Sequence, residues 1–227
     1  MIIKTFQTRD DCAHALSDDL GFALKTVLDE NEHAALALSG GQSPKMVLPN
    51  LASMPLRWSD VDVTLSDERC VLPFDKDSNA AMVQSSFLEQ GAKDASFHPL
   101  WTEDVDIVGG LESAKRKLRI FPWPLDVIYI GMGEDGHFAS LFRSDDISDF
   151  DNDDGPVVAG RAPSAPHQRI SLSLSTILKT RHLFLHVTGS VKRETFDYAR
   201  TITPTSQCPV SLLLNNAEID LRVYLTD

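Results

Sequence analysis

Short apolar runs recur along the chain at residues 34–38, 61–65, 125–130, 170–174, 183–187 and 221–225. Runs of this length, most of them followed by Gly, Ser or Thr, predict strands. Between several of them, over 10–28, 78–89, 111–118 and 190–199, apolar positions recur at helical spacing and predict amphipathic helices. Strands that alternate with helices are the pattern of crossover units, so the expected architecture is α/β, a mainly parallel sheet with helices on both faces. Neither a linker nor an internal repeat interrupts the pattern, and the 227 residues are expected to form one domain, 1–227.

Charge narrows the partners. Lys and Arg number 21 against 33 Asp and Glu, a net charge of −12. Such a balance repels nucleic-acid phosphates and anionic membrane surfaces, so no nucleic acid and no membrane is expected as partner. It also opposes an anionic metabolite, so any phosphate site must be built from local donors. Cys12, Cys70 and Cys208 are far apart, lack CxxC pairing and are odd in number, which fits reduced thiols in a cytoplasmic protein. The N-terminal MIIKTFQTRDDCAHAL has no apolar signal core, and no stretch approaches the roughly 18 apolar residues of a membrane span.

In a parallel α/β sheet, ligands sit beyond the carboxyl ends of the strands, so the residues after each strand carry the candidate chemistry. After 34–38 come Ser39, Gly40, Gly41, Gln42, Ser43 and Pro44. Paired glycines let the backbone approach an anion, and Ser-Pro suits the start of a helix whose N-terminus favours negative charge. Pro49 is expected to kink or shorten that helix. After 61–65 comes Ser66-Asp67-Glu68-Arg69, with Asn79 downstream. Alternation along an extended chain would turn Asp67 and Arg69 together into a cleft and Glu68 away.

The sharpest feature is Gly131-Met132-Gly133-Glu134-Asp135-Gly136-His137, after 125–130. Histidine titrates nearest neutrality, and Asp135 is close enough to fix its tautomer. After 183–187 comes Thr188-Gly189-Ser190-Val191-Lys192, whose ammonium could reach a phosphate at the neighbouring strand ends. Arg169 is a weaker candidate of the same kind. Each loop alone has a plainer alternative: a tight turn, a solvated charged turn, a hydrogen-bonded structural histidine or a surface lysine. His182 and His186 have HxxxH spacing, but on a strand they stand about 13 Å apart, too far to share a zinc ion. No metal or cofactor is expected. Residues 143–155, RSDDISDFDNDDG, read as a long acidic surface loop.

Taken in order, SGGQSP, Trp58 with SDER, LDVIYIGMGEDGHFASLF, RISLSL and VTGSVK resemble the 6-phosphogluconolactonase family over nearly the whole chain. GMGEDGHFASLF is the most specific part. The resemblance implies a Rossmann-like fold shared with glucosamine-6-phosphate deaminases and with sugar-binding domains of bacterial regulators. It implies hydrolysis of 6-phospho-D-glucono-1,5-lactone by a water that His137 activates, with Asp135 orienting the imidazole. Arg69 then faces the oxyanion and Asp67 positions Arg69 or the sugar hydroxyls, while Gly40, Gly41, Ser43 and Lys192, aided by Arg169, hold the phosphate. Deaminase relatives carry an aromatic residue where Arg69 stands and a different continuation after the histidine. Arg143 stands where lactonase relatives usually have proline. The rival readings are an amino-sugar-phosphate deaminase that uses Asp67 as base, and a sugar-phosphate-binding module without turnover.

Overall fold

The computed structural model describes residues 1–102, 106–151 and 155–227. Ten strands form in chain order: β1 (Ile2–Thr5), β2 (Ala34–Leu38), β3 (Val61–Leu65), β4 (Asp67–Arg69), β5 (Ser96–Phe97), β6 (Val127–Gly131), β7 (Val157–Arg161), β8 (Gln168–Leu172), β9 (His182–Thr188) and β10 (Leu221–Thr226). The α-helices are α1 (Arg9–Asn31), α2 (Pro44–Ala52), α3 (Asn79–Val83), α4 (Ile107–Lys117), α5 (Leu174–Leu178), α6 (Ser190–Ala199) and α7 (Val210–Leu214).

Seven strands make a wholly parallel sheet in the order β1-β10-β9-β6-β2-β3-β5. Its centre is apolar because both faces are covered: all five residues of β2 are buried, as are Val127, Ile128, Tyr129 and Ile130 of β6. The chain leaves β2 toward β3 in one direction and, after β6, works back toward β9 and β10 in the other. Right-handed crossovers then put α1 and α2 on one face and α6 and α7 on the other. The contact of α1 with α2, and of α6 with α7, agrees with that division. The reversal between β2 and β6 opens a crevice at their carboxyl ends.

Two predicted strands, 34–38 and 61–65, match β2 and β3, and helix 190–199 matches α6. The run at 170–174 instead belongs to β8, in a separate antiparallel sheet β4-β8-β7 beside the crevice. Helix 78–89 is divided: Ser78 caps α3, which passes into a π-helical segment, Gln84–Ala92. Helix 111–118 begins earlier, at Ile107, because Gly110 tucks beneath Trp101 and hides the periodicity. Pro49 lies inside the nine-residue α2 close to its end, while Ser43 is itself helical and its hydroxyl caps nothing. The acidic loop holds a 3-10 turn, Ile147–Phe150, pinned by buried Phe150, and Arg143 hydrogen-bonds Gln207. Residues 152–154 of that loop lie outside the described residues.

Leu36, in the middle of β2, is wholly buried. Leu36→Ala is expected to cost about 3 kcal/mol in urea unfolding while leaving the far-ultraviolet circular dichroism unchanged.

Candidate active site

One cavity of about 260 Å³ lies at the switch between β2 and β6, and its wall includes Gly40, Gly41, Ser43, Asp67, Arg69, Asn79, His137 and Lys192. Four segments distant in sequence meet there because each follows the carboxyl end of β2, β3, β6 or β9. A larger cavity, about 710 Å³, is lined by Trp123, Pro124, Gly155, Pro156, Ser175, Thr176 and Lys179. Among the described residues it contains no acid–base pair, and the chemistry points to the smaller one.

The loop after β6 is rigid. Gly133 N–H donates to the His137 carbonyl at 2.8 Å, Val210 N–H to the Gly136 carbonyl at 2.8 Å, and the Thr195 hydroxyl to the Glu134 carbonyl at 2.7 Å. Gly136 has φ +82°, a left-handed turn that glycine adopts freely. His137 Nδ1 lies 2.5 Å from Asp135 Oδ1, and the ring packs at 4.5 Å on Phe142. A carboxylate accepts, so Nδ1 carries the proton and Nε2 is the free base. A Cβ on Gly133 would stand 2.1 Å from His137 Cε1, so only glycine leaves the imidazole this seat. Asp135 is not itself on the cavity wall; it stands behind the histidine.

Asp67 is held by three neighbours. Ser140 donates to Oδ2 at 2.6 Å, Ser66 to Oδ1 at 3.2 Å, and the Asn79 amide donates to the Asp67 carbonyl at 2.8 Å. Glu68 turns inward, 1% exposed, and accepts from the backbone N–H groups of Arg69, Asn79 and Ala80. Burial raises its pKa although those donors oppose the rise. Glu68 therefore points away from the cleft, as the alternation predicts, but into the protein, where it caps α3. Arg69 donates to the Asp77 carbonyl. Arg169, the weaker phosphate candidate, lies on β8. It pairs in register with Arg69 but is buried and absent from the cavity wall, and burial together with the Arg69 charge lowers its pKa.

At the glycine loop, the N–H groups of Gly41, Gln42 and Ser43 donate to no group among the described residues, and Gly41 has φ +109°. Asn79 Oδ1 is buried without a hydrogen-bond partner and packs so closely on Gly40 that a Cβ there would stand 1.8 Å away. Lys192, in the first turn of α6, makes no hydrogen bond or ion pair among the described residues. Burial lowers its pKa, and Glu134 and Asp135 oppose the shift. The sequence reading missed His186, weighed there only as a metal ligand. It lines the cavity from the end of β9, while His182 at the other end pairs with Asp220 at 2.8 Å. Its place near a strand's carboxyl end was the available signal.

A doubly wound sheet with free loop amides and an acid-held histidine at its switch point defines an α/β protein equipped for acid–base chemistry on a small anionic molecule. More specifically, residues 7–221 match the family model for glucosamine-6-phosphate isomerases/6-phosphogluconolactonase, and the chain belongs to that family. It is 36% identical over 224 residues to the 6-phosphogluconolactonase of Mesorhizobium japonicum, covering 97% of this chain and 93% of the relative. The 6-phosphogluconolactonase of Rhizobium meliloti is 33% identical over 223 residues, with 96% of each chain covered. The crystal structure of a 6-phosphogluconolactonase from Shewanella baltica OS155 superposes with a TM-score of 0.95 at 30% identity, covering 100% of this chain and 98% of that one.

The hydrogen bond from His137 holds the Asp135 carboxyl below its ordinary value of 3.8. With the folded value lowered, the pair adds stability above about pH 4 that is lost as pH falls through the folded value. Carboxyl 13C NMR is expected to show Asp135 titrating below the usual aspartate range, and returning to it in His137→Ala.

Proposed function

We propose that this chain hydrolyses 6-phospho-D-glucono-1,5-lactone to 6-phospho-D-gluconate, the lactone-opening step of the oxidative pentose phosphate pathway. The observation that carries the reading is the carboxylate-held imidazole of His137 sharing one cavity with Arg69, the free amides of the glycine loop and Lys192. The phosphate sits on Gly40, Gly41 and Ser43 with Lys192. Arg169, one strand beyond Arg69, adds positive potential without touching the substrate. One domain, 1–227, carries the whole reaction in the cytoplasm, consistent with three free thiols. No helix among the described residues is long and apolar enough to cross a membrane.

His137 Nε2 takes a proton from water as its oxygen attacks C1. Asp135 holds the imidazolium that forms. The carbonyl electrons move to the oxygen that faces Arg69, a charge the fixed guanidinium stabilises. Collapse of the tetrahedral intermediate breaks the bond from C1 to the ring oxygen, which takes its proton from the imidazolium or from solvent. Asp67, fixed by Ser140 and Ser66, and the unpartnered Asn79 Oδ1 are available to accept sugar hydroxyls. Neither metal nor redox cofactor is required by this chemistry.

Hydrolysis is to be measured against the spontaneous reaction. The wild type is expected to accelerate it, and His137→Ala to lose about 10²–10⁴ of kcat. No ammonia should be released from glucosamine 6-phosphate; release would favour the deaminase instead. Lys192→Ala is expected to raise KM for the phosphorylated lactone about tenfold, a loss typical of one charge-assisted bond.

A further inference from the structure

Beyond the glycine loop the cleft continues into a hollow of about 80 Å³ walled by Arg9, Gln42, Ser43, Met46, His186 and Thr188. Gln42, Ser43 and His186 line both spaces, so the two adjoin along one wall. His186 has no role in the hydrolysis derived above, yet it is only 5% exposed and bonded on both ring nitrogens.

The direction of its hydrogen bonds follows from satisfaction. Tyr129 is wholly buried, and among the described residues its hydroxyl has one hydrogen-bond partner, His186 Nδ1 at 3.1 Å. Leaving that O–H without an acceptor would be costly, so Nδ1 accepts. Nε2 then carries the ring proton and donates to Thr188 Oγ1 at 3.0 Å, with Cys12 Sγ farther off at 3.6 Å. Burial, reinforced by the Lys192 charge, pushes the imidazole pKa down to about 4, so near neutrality the ring keeps this single-donor form. Thr188 accepts from the ring, and its own O–H finds no acceptor among the described residues. That proton is left for whatever enters the hollow.

Arg9, the first residue of α1, is exposed and makes no hydrogen bond or ion pair among the described residues. A phosphate monoester brings close to two negative charges and three acceptor oxygens. In a chain of net charge −12, a single ammonium and the loop amides leave part of that charge unmatched. We propose that the substrate phosphate spans Ser43, with Lys192 on the side of the main cavity and Arg9 and Thr188 on the side of the hollow. Arg9 is a binding residue, and Tyr129 with His186 is a positioning pair that keeps the Thr188 hydroxyl a donor. The assignment rests on the lactonase reading for the identity of the ligand and on the two adjoining cavities for its place.

The test is steady-state hydrolysis of 6-phosphoglucono-1,5-lactone and of unphosphorylated glucono-1,5-lactone by wild type, Arg9→Ala, Arg9→Lys, Thr188→Val, Tyr129→Phe and the Thr188/Tyr129 double variant. Arg9→Ala is expected to raise KM for the phosphorylated lactone about tenfold at nearly constant kcat, with partial rescue by Arg9→Lys. kcat/KM for the unphosphorylated lactone should not move. Thr188→Val and Tyr129→Phe should each raise the same KM, and the double variant no further than Thr188→Val alone. An unchanged KM in Arg9→Ala, or equal losses on both lactones, would overturn the Arg9 assignment. A Tyr129→Phe variant with wild-type KM, or additive losses in the double variant, would overturn the positioning pair. Calorimetric titration with inorganic phosphate separates this inference from the function. If the wild type accelerates neither lactone, the lactonase reading falls. Weaker phosphate binding by Arg9→Ala would then still support the anion site, and equal binding would refute it.

Discussion

The adjacent strands β2 and β6 send the chain in opposite directions across one parallel sheet, and every feature of the site follows from the gap this leaves. A crossover cannot close over the carboxyl ends of two strands whose connections diverge. The turn after β2 and the turn after β6 therefore face each other across open space, one offering backbone amides and the other an imidazole. The side sheet β4-β8-β7 walls one flank, since β4 continues almost directly from β3 and carries Asp67 and Arg69 into the gap.

Electrostatics decides what the gap can hold. The whole molecule repels anions, so attraction must come from donors within contact distance, where screening and the distant acidic residues matter least. The loop amides cost no charge, and among the described residues no carboxylate lies at hydrogen-bond range of Lys192 or Arg69. Burial lowers the pKa of Lys192 and of Arg169, the latter helped by the neighbouring Arg69 charge. An anion within hydrogen-bond range favours the charged form of such a group and opposes that lowering. The neutral state of His186 belongs to the same economy: a third positive charge beside Lys192 is avoided, and a hydrogen-bond chain takes its place.

Rigidity at His137 is purchased with small residues. Gly133 lies under the imidazole, Gly40 under the Asn79 amide, and Ala139 follows the histidine loop with φ +48°. The Thr195 hydroxyl of α6 and the Val210 N–H of α7 tie the loop by hydrogen bonds to its carbonyls, so the imidazole is held in place before any ligand arrives. Family membership leaves both isomerase and lactonase chemistry open. The residues around the histidine, with Arg69 where deaminases carry an aromatic side chain, are what favour the hydrolytic reading.

Much was legible from the chain alone because it is local. The apolar runs at 34–38 and 61–65, the glycine turn and the pairing of Asp135 with His137 two residues away all depend on neighbours in sequence, and periodicity or spacing records them. Elements whose residues satisfy distant partners were not legible. β4 is three residues long, β8 lies in a second sheet, and α4 starts at Ile107, ahead of the periodic stretch, with Gly110 against Trp101. Glu68 looked like a solvated charge until α3 folded onto it. The burial of Arg169 by pairing across β4 and β8 was equally hidden. His186 is the plainest case. Its sequence context suggested only a spacing, whereas two of its partners, Tyr129 and Cys12, are brought to it by one strand and one helix. Sequence determined which backbone turns could bind an anion and which side chain could act as base; tertiary structure decided which polar groups are neutral, which are satisfied and which remain free, because burial and hydrogen-bond partners exist only once the layers have packed.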